Sequence, residues 1–127
     1  MGSKIPVFMS NLLIAINVTR EVRLTERARV ADTFYTRLVG LLRDKTLAQG
    51  DGLWIKNCNS IHSIGMQFVF DAIFLDKNLQ VVHLLREMKP WRASKMVFSA
   101  ASVLELPAGL ISQTATELGD QFEMRMG

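Results

Sequence analysis

The sequence predicts a β-rich α+β fold: a single compact domain with a curved or barrel-like, mostly antiparallel sheet and a few short helices. Three observations lead there. The neighbouring runs QFVFDAIFL (67–75) and LQVVHLLREM (79–88) carry apolar residues on both faces and flank a DKN turn signal, so they read as strands deep in a sheet that is covered on two sides or closed on itself. Only one clear amphipathic-helix pattern occurs along the chain. A length of 127 residues, 49% hydrophobic and 21% charged, suffices for one core but not two, so residues 1–127 are read as one domain.

Residues 7–31 read as two β segments, VFMSNLLIAINV and EVRLTERARV, separated by the polar Thr19 and Arg20. The competing reading of residues 5–18 is the apolar part of an export signal. Against it, Ser10, Asn11 and Asn17 interrupt the run and no small-x-small cleavage pattern follows. The run is also too short to span a bilayer as a helix. The single cysteine cannot form an intramolecular disulfide and gives no reason to invoke an oxidising compartment, so cytoplasm is the expected location.

In the second segment Arg23, Arg27 and Arg29 alternate with Leu24, Ala28 and Val30, which on one strand places the three arginines on one face. No aromatics interleave with them for stacking. The preferred reading is a solvated sheet face, with nucleic acid a disfavoured partner.

Asp32 or Thr33 is suited to cap a helix over about 33–43, in which Phe34, Leu38, Leu41 and Leu42 recur on one side and Gly40 marks a close approach to another backbone. GDG (50–52) then breaks the chain before the strand LWIKN. After the 67–88 hairpin, Pro90 stops the second strand, the loop WRASK leads to MVFSAASVLEL, and Pro107 and Gly109 open a helical turn through ISQTATE. GDQFEMRM closes the chain as a final strand.

TRLVGLL (36–42), DGLWI (51–55), CNSIHSIGM (58–66), FDAIFLD (70–76), KPWR (89–92), LELPAG (104–109) and GD (119–120) follow one another in an order that resembles the prokaryotic family catalogued as domain of unknown function 192, over residues 18–126. The resemblance implies a compact, mostly β domain with a few short helices, and it implies no chemistry. Two departures stand out. His62-Ser63-Ile64-Gly65-Met66 replaces the commoner Trp-Met-Lys-Asn-Thr, as in a branch with a Cys-x3-His segment, and Asp44 lies between Arg43 and Lys45 where most members have an arginine.

Cys58 and His62 are the first candidates for chemistry. Their Cα atoms lie roughly 13 Å apart in an extended segment and about 6 Å apart on a helix, so only a helix or tight loop lets the imidazole reach the thiol. A nucleophile would also need a third group to orient the histidine. Zinc would need more ligands than this chain supplies, so no metal and no cofactor are expected. The preferred reading makes Cys58 a small core filler and His62 a residue lining a groove.

Asp71, inside FVFDAIFL, requires compensation if buried, from a backbone turn, from an arginine such as Arg37, or from His62. Glu105 in VLELPAG poses the same problem. Trp91 and Arg92 sit on a loop suited to binding. The sequence therefore favours a non-enzymatic ligand- or protein-binding accessory domain with a groove formed by His62, Met66, Trp91 and Arg92. The competing reading is a hydrolase-like enzyme using Cys58 and His62 with Asp71. The ligand, whether a small molecule or a protein, and the oligomeric state are left open.

Overall fold

The computed structural model describes residues 12–31, 47–64 and 66–126. They form one eight-stranded sheet: β1 (Leu12–Asn17), β2 (Val22–Arg23), β3 (Arg27–Ala31), β4 (Asp51–Lys56), β5 (Phe70–Leu75), β6 (Val81–Met88), β7 (Ser102–Pro107) and β8 (Phe122–Met126). The one helix among the described residues is α1 (Leu110–Gln113). The sheet runs β8, β1, then β2 and β3 side by side along β1, then β4, β7, β5 and β6. Every pairing is antiparallel except β3 with β4, so the sheet is mixed. The β-rich expectation holds, whereas an α+β label overstates the helical content of the described residues. The expected 33–43 helix, with Arg37, lies outside them.

Main-chain bonds stitch the two ends of the sheet together. The Val81 amide donates to Asp120, Gly119 to Val81 and Phe122 to Leu79, all at 2.8–2.9 Å, which brings the start of β8 against the start of β6 and curls the sheet into a half-barrel. One hydrophobic cluster, including Ala15, Ile73, Val81, Leu104, Ile111 and Phe122, draws on both end strands and so fills the inside of the curl. A second, including Ile55, Phe70, Phe74, Val103, Ile61, Met66 and Val97, packs loop residues onto the opposite face. β5 is buried at all six positions because its alternate residues serve these two clusters, which is why its sequence is apolar on both sides.

The hairpin forms as expected. Asp76 organises its turn by accepting the amides of Asn78 and Gln80, both at 2.9 Å. The segment EVRLTERARV, by contrast, is two strands rather than one. Thr25 is buried, and its hydroxyl accepts the Ala15 amide at 2.9 Å while donating to the Leu13 carbonyl at 3.1 Å, so a side chain takes the place of a main-chain rung and breaks the strand. Two of the three arginines are paired locally, Arg23 with Glu26 and Arg27 with Asp51. Gly52 belongs to β4 itself. A Cβ there would meet the Thr25 methyl at 2.8 Å and the Glu105 carbonyl at 3.2 Å, so glycine admits the close approach of β4 to its neighbours.

At the closing end, Asp120 is buried among donors. It accepts from Asn17 Nδ2 at 2.9 Å, from Arg20 Nε at 2.9 Å and from the Glu117 amide at 3.0 Å, and Arg20 also reaches Glu117 at 3.2 Å. Burial alone would push the Asp120 carboxyl up; the bonds from Arg20, Asn17 and Glu117, with the Arg20 charge, hold it below the usual carboxylate range. A carboxyl depressed on folding contributes stability that is complete above its unfolded value of about 3.9 and fades as pH falls through the folded one. Urea titrations of wild type and Asp120→Asn across that window are expected to show the variant less stable at neutral pH and the gap between them shrinking on acidification. An unchanged gap would mean that the carboxylate charge does not matter to closure.

Candidate functional site

Two loops, residues 57–64 and 89–98, run antiparallel over the second core face. Ser94 donates to Ile61 at 2.8 Å, Val97 to Asn59 at 2.9 Å, Ser63 to Arg92 at 2.8 Å and Trp91 to Ser63 at 3.1 Å, all through the main chain, and His62 bridges Ala93. Ser63 is the hub of this pair. It is fully buried, its hydroxyl donates to the Lys89 carbonyl at 2.6 Å and accepts the Arg92 amide at 2.8 Å, and its carbonyl holds Trp91 in a turn at a φ of 61°. Nothing in the local pattern distinguishes Ser63 from any loop serine, because its partners lie about 30 positions away.

The predicted site residues separate. Cys58 is half-buried against the core, and its thiol donates to the Ser60 carbonyl at 2.9 Å. Burial pushes that thiol up from its ordinary value, and the charge of the buried Glu105 adds to the rise. His62 is half-buried in the loop ladder. Met66 does not line a groove: its amide bonds to the Ser63 carbonyl at 3.0 Å, and the resulting turn drives the side chain into the core, where it is 1% exposed. Trp91 and Arg92 are exposed on the second loop.

Asp71 is fully buried, and its carboxylate is committed to backbone. Oδ1 accepts the amides of Glu87 at 2.8 Å and Gly109 at 3.1 Å, and Oδ2 accepts that of Ile111 at 2.8 Å. Of the three kinds of partner considered from the sequence, backbone turns supply these bonds. The register shift between Phe70 and Ala72 sets Asp71 against both Arg86 and Glu87, a β-bulge in β6 with Glu87 at a φ of 52°. The carboxylate satisfies the amide freed by that bulge and, from a distant strand, caps the first turn of α1.

The bulge sets Arg86 and Glu87 side by side, and with Leu85, Met88, Lys89, Arg92, Ala93 and Ser94 they line a cleft of about 260 Å³ between β6 and the second loop. It holds three cations and one carboxylate. A wider cleft of about 500 Å³ opens between β6 and the turn before β8, lined by His83, Leu84, Arg86, Glu117 and Leu118. There burial, with the charge of Lys95, lowers the His83 imidazole, which packs edge-on to Phe74 at 5.1 Å. A third cleft, about 220 Å³, lies beside Cys58 between Asn57, Asn59, Ala100 and Ala101. Sequence reading passed over Arg86 and His83; their place on the hairpin's outer strand, next to the run that holds Asp71, was the available signal. Among the described residues no group of three or more His, Cys, Asp or Glu side chains is placed to hold a metal ion, and no helix is long and apolar enough to cross a membrane.

A half-barrel carrying a loop-built, cationic cleft is thus the class of protein that fold and site define. The chain belongs to the family of domain of unknown function 192, described as an uncharacterized ACR, whose model matches residues 14–124. It is 33% identical over 111 residues to a UPF0127 protein of Pyrococcus furiosus, covering 85% of this chain and 95% of that one. A UPF0127 protein of Thermococcus sibiricus is 32% identical over 112 residues, covering 85% and 72%. The crystal structure of a protein of unknown function from Novosphingobium aromaticivorans superposes with a TM-score of 0.72 at 18% identity, covering 88% of this chain and 83% of that one, a likeness of fold.

Replacing Asp71 by alanine strands three amides, that of Ile111 buried and those of Glu87 and Gly109 partly so, and the variant is expected to lose about 2 kcal/mol or more in urea denaturation, with faster hydrogen exchange at Glu87, Gly109 and Ile111. A neutral effect would mean that the bulge and the helix start hold without it. For Cys58 the raised thiol predicts slow iodoacetamide labelling of the native protein at about pH 7, rising toward alkaline pH and unaffected by His62→Ala. Rapid labelling near neutrality that His62→Ala abolishes would restore a thiolate mechanism.

Proposed function

We propose that the protein is a non-catalytic binding domain and that the cleft between β6 and the second loop takes a small anionic ligand, one bearing a phosphate or several carboxylates. The observation that carries this reading is the convergence of Arg86, Lys89 and Arg92 on one concave site of about 260 Å³, against the single carboxylate of Glu87. Guanidinium groups offer paired N–H donors that match phosphate and carboxylate oxygens. The cleft frame is rigid at both walls, since the bulge is pinned by Asp71 and the loop by Ser63. The wider cleft serves this purpose less well, because its Glu117 faces the same space and is already engaged by Arg20.

The hydrolase-like alternative has less support. Asp71, its proposed orienting group, spends both oxygens on backbone amides, and the Cys58 thiol is pushed away from the thiolate form.

Thermal-shift titration with millimolar inorganic pyrophosphate and citrate tests the binding reading. Saturation at a hundredfold excess over the dissociation constant stabilises the native state by about 2.7 kcal/mol. The shift is expected with wild type and is expected to fall away in Arg86→Ala and Arg92→Ala. No shift with either anion, or an equal shift in both variants, overturns the assignment of the cleft.

A further inference from the structure

The loop pair carries a second feature that the anion cleft does not use. Large exposed apolar side chains are scattered thinly on most protein surfaces and singly need no explanation. Here five of the nine among the described residues, Ile64, Val69, Trp91, Met96 and Phe98, fall on these two loops or just beyond them. Val97 turns inward to the core, which leaves its neighbours Met96 and Phe98 pointing away from it. Phe98 lies in the turn closed by the Ala100 amide bonding to the Val97 carbonyl at 2.9 Å, and is 85% exposed; Trp91 lies in the turn at the other end of the same loop and is 64% exposed.

The two loops themselves carry charge of one sign, and Glu87, at the edge of the second, is the one carboxylate lining the adjoining cleft. Residues 57–70 and 88–104 contain no aspartate or glutamate, although the chain has 12 of them, and the second loop supplies Lys89, Arg92 and Lys95, all exposed. Exposed apolar side chains on a loop that also carries three exposed cations suit the boundary of an anionic bilayer, where the apolar groups enter the acyl region and the cations meet headgroup phosphates. A nucleic acid fits less well: it would use Trp91 and Phe98 as stacking platforms but gains nothing from the aliphatic Ile64, Val69 and Met96. We infer that the protein docks peripherally on anionic phospholipid membranes, with Phe98, Met96 and Trp91 inserted and Lys89, Arg92 and Lys95 at the headgroups.

The inference shares Lys89 and Arg92 with the small-anion reading but rests on the apolar side chains and Lys95, which the cleft lacks, and sedimentation of the full chain with vesicles tests it. Binding is expected with phosphatidylcholine vesicles containing about one third phosphatidylserine, and not with phosphatidylcholine alone. Each basic residue at such a surface strengthens binding about fivefold, so Lys95→Glu, a reversal of charge, is expected to weaken it by at least about tenfold. Phe98→Ser with Met96→Ser is expected to weaken it by about tenfold or more while leaving the circular dichroism spectrum and Tm unchanged, since both side chains already face solvent. Brominated acyl chains are expected to quench Trp91 fluorescence in a Trp54→Phe background. Arg86→Ala, which removes a cleft residue only, is expected to leave vesicle binding intact and so separates the two readings. Failure to sediment with anionic vesicles overturns the inference, as do undiminished binding by the double variant, concentration-dependent dimerisation that buries Phe98, and salt-sensitive binding of single-stranded RNA in place of vesicles.

Discussion

The requirement that a carboxylate buried in β5 be fully hydrogen-bonded organises much of this structure. Asp71 has no access to water, and the cost of leaving it unsatisfied would exceed what most single contacts contribute. Its three acceptor bonds reach two separate parts of the chain, the bulge at Glu87 and the start of α1 at Gly109 and Ile111. One side chain therefore fixes the geometry of β6 and the exit of β7 together. The four-residue helix contains no capping side chain of its own and takes its cap from Asp71.

This has a functional consequence, because the bulge that Asp71 stabilises is also what places Arg86 and Glu87 side by side at the cleft. Ser63 does the corresponding work on the other wall, holding Lys89, Trp91 and Arg92 through their backbones and leaving the side chains turned outward. The candidate site is built from main-chain geometry held by two buried polar groups, with the charged groups themselves exposed at its rim. That arrangement is what supports the proposed binding role. Acid–base chemistry calls instead for titrating groups set against one another, and here the buried carboxylate is saturated with backbone donors while the thiol is driven toward its protonated form.

The same loops present two chemically different surfaces, a cleft rimmed by Arg86, Lys89 and Arg92 and a set of apolar tips at Trp91, Met96 and Phe98. Loops able to carry both need a scaffold that does not move, and the half-barrel supplies one. Its ends are joined by main-chain bonds between residues 79–81 and 119–122 and by the Asn17, Arg20 and Asp120 cluster, and the core on each face of β5 is continuous.

Sequence alone determined the features that follow from local pattern. The β5–β6 hairpin was legible because alternation and the DKN turn are short-range signals, and the burial of Asp71 and Glu105 because an acid flanked by apolar residues on a two-sided strand has nowhere else to go. Tertiary structure decided everything that depended on a distant partner. Thr25 breaks its strand because its hydroxyl meets β1; Ser63 is a hub because its hydroxyl meets Lys89 and Arg92, 26 and 29 positions on; Asp71 finds amides 16, 38 and 40 positions away. Periodicity along a chain reports which side chains must be buried, since burial is a property of each residue's own transfer from water. It cannot report which donor meets which acceptor, because hydrogen bonds are directional and only the folded arrangement brings their two ends together.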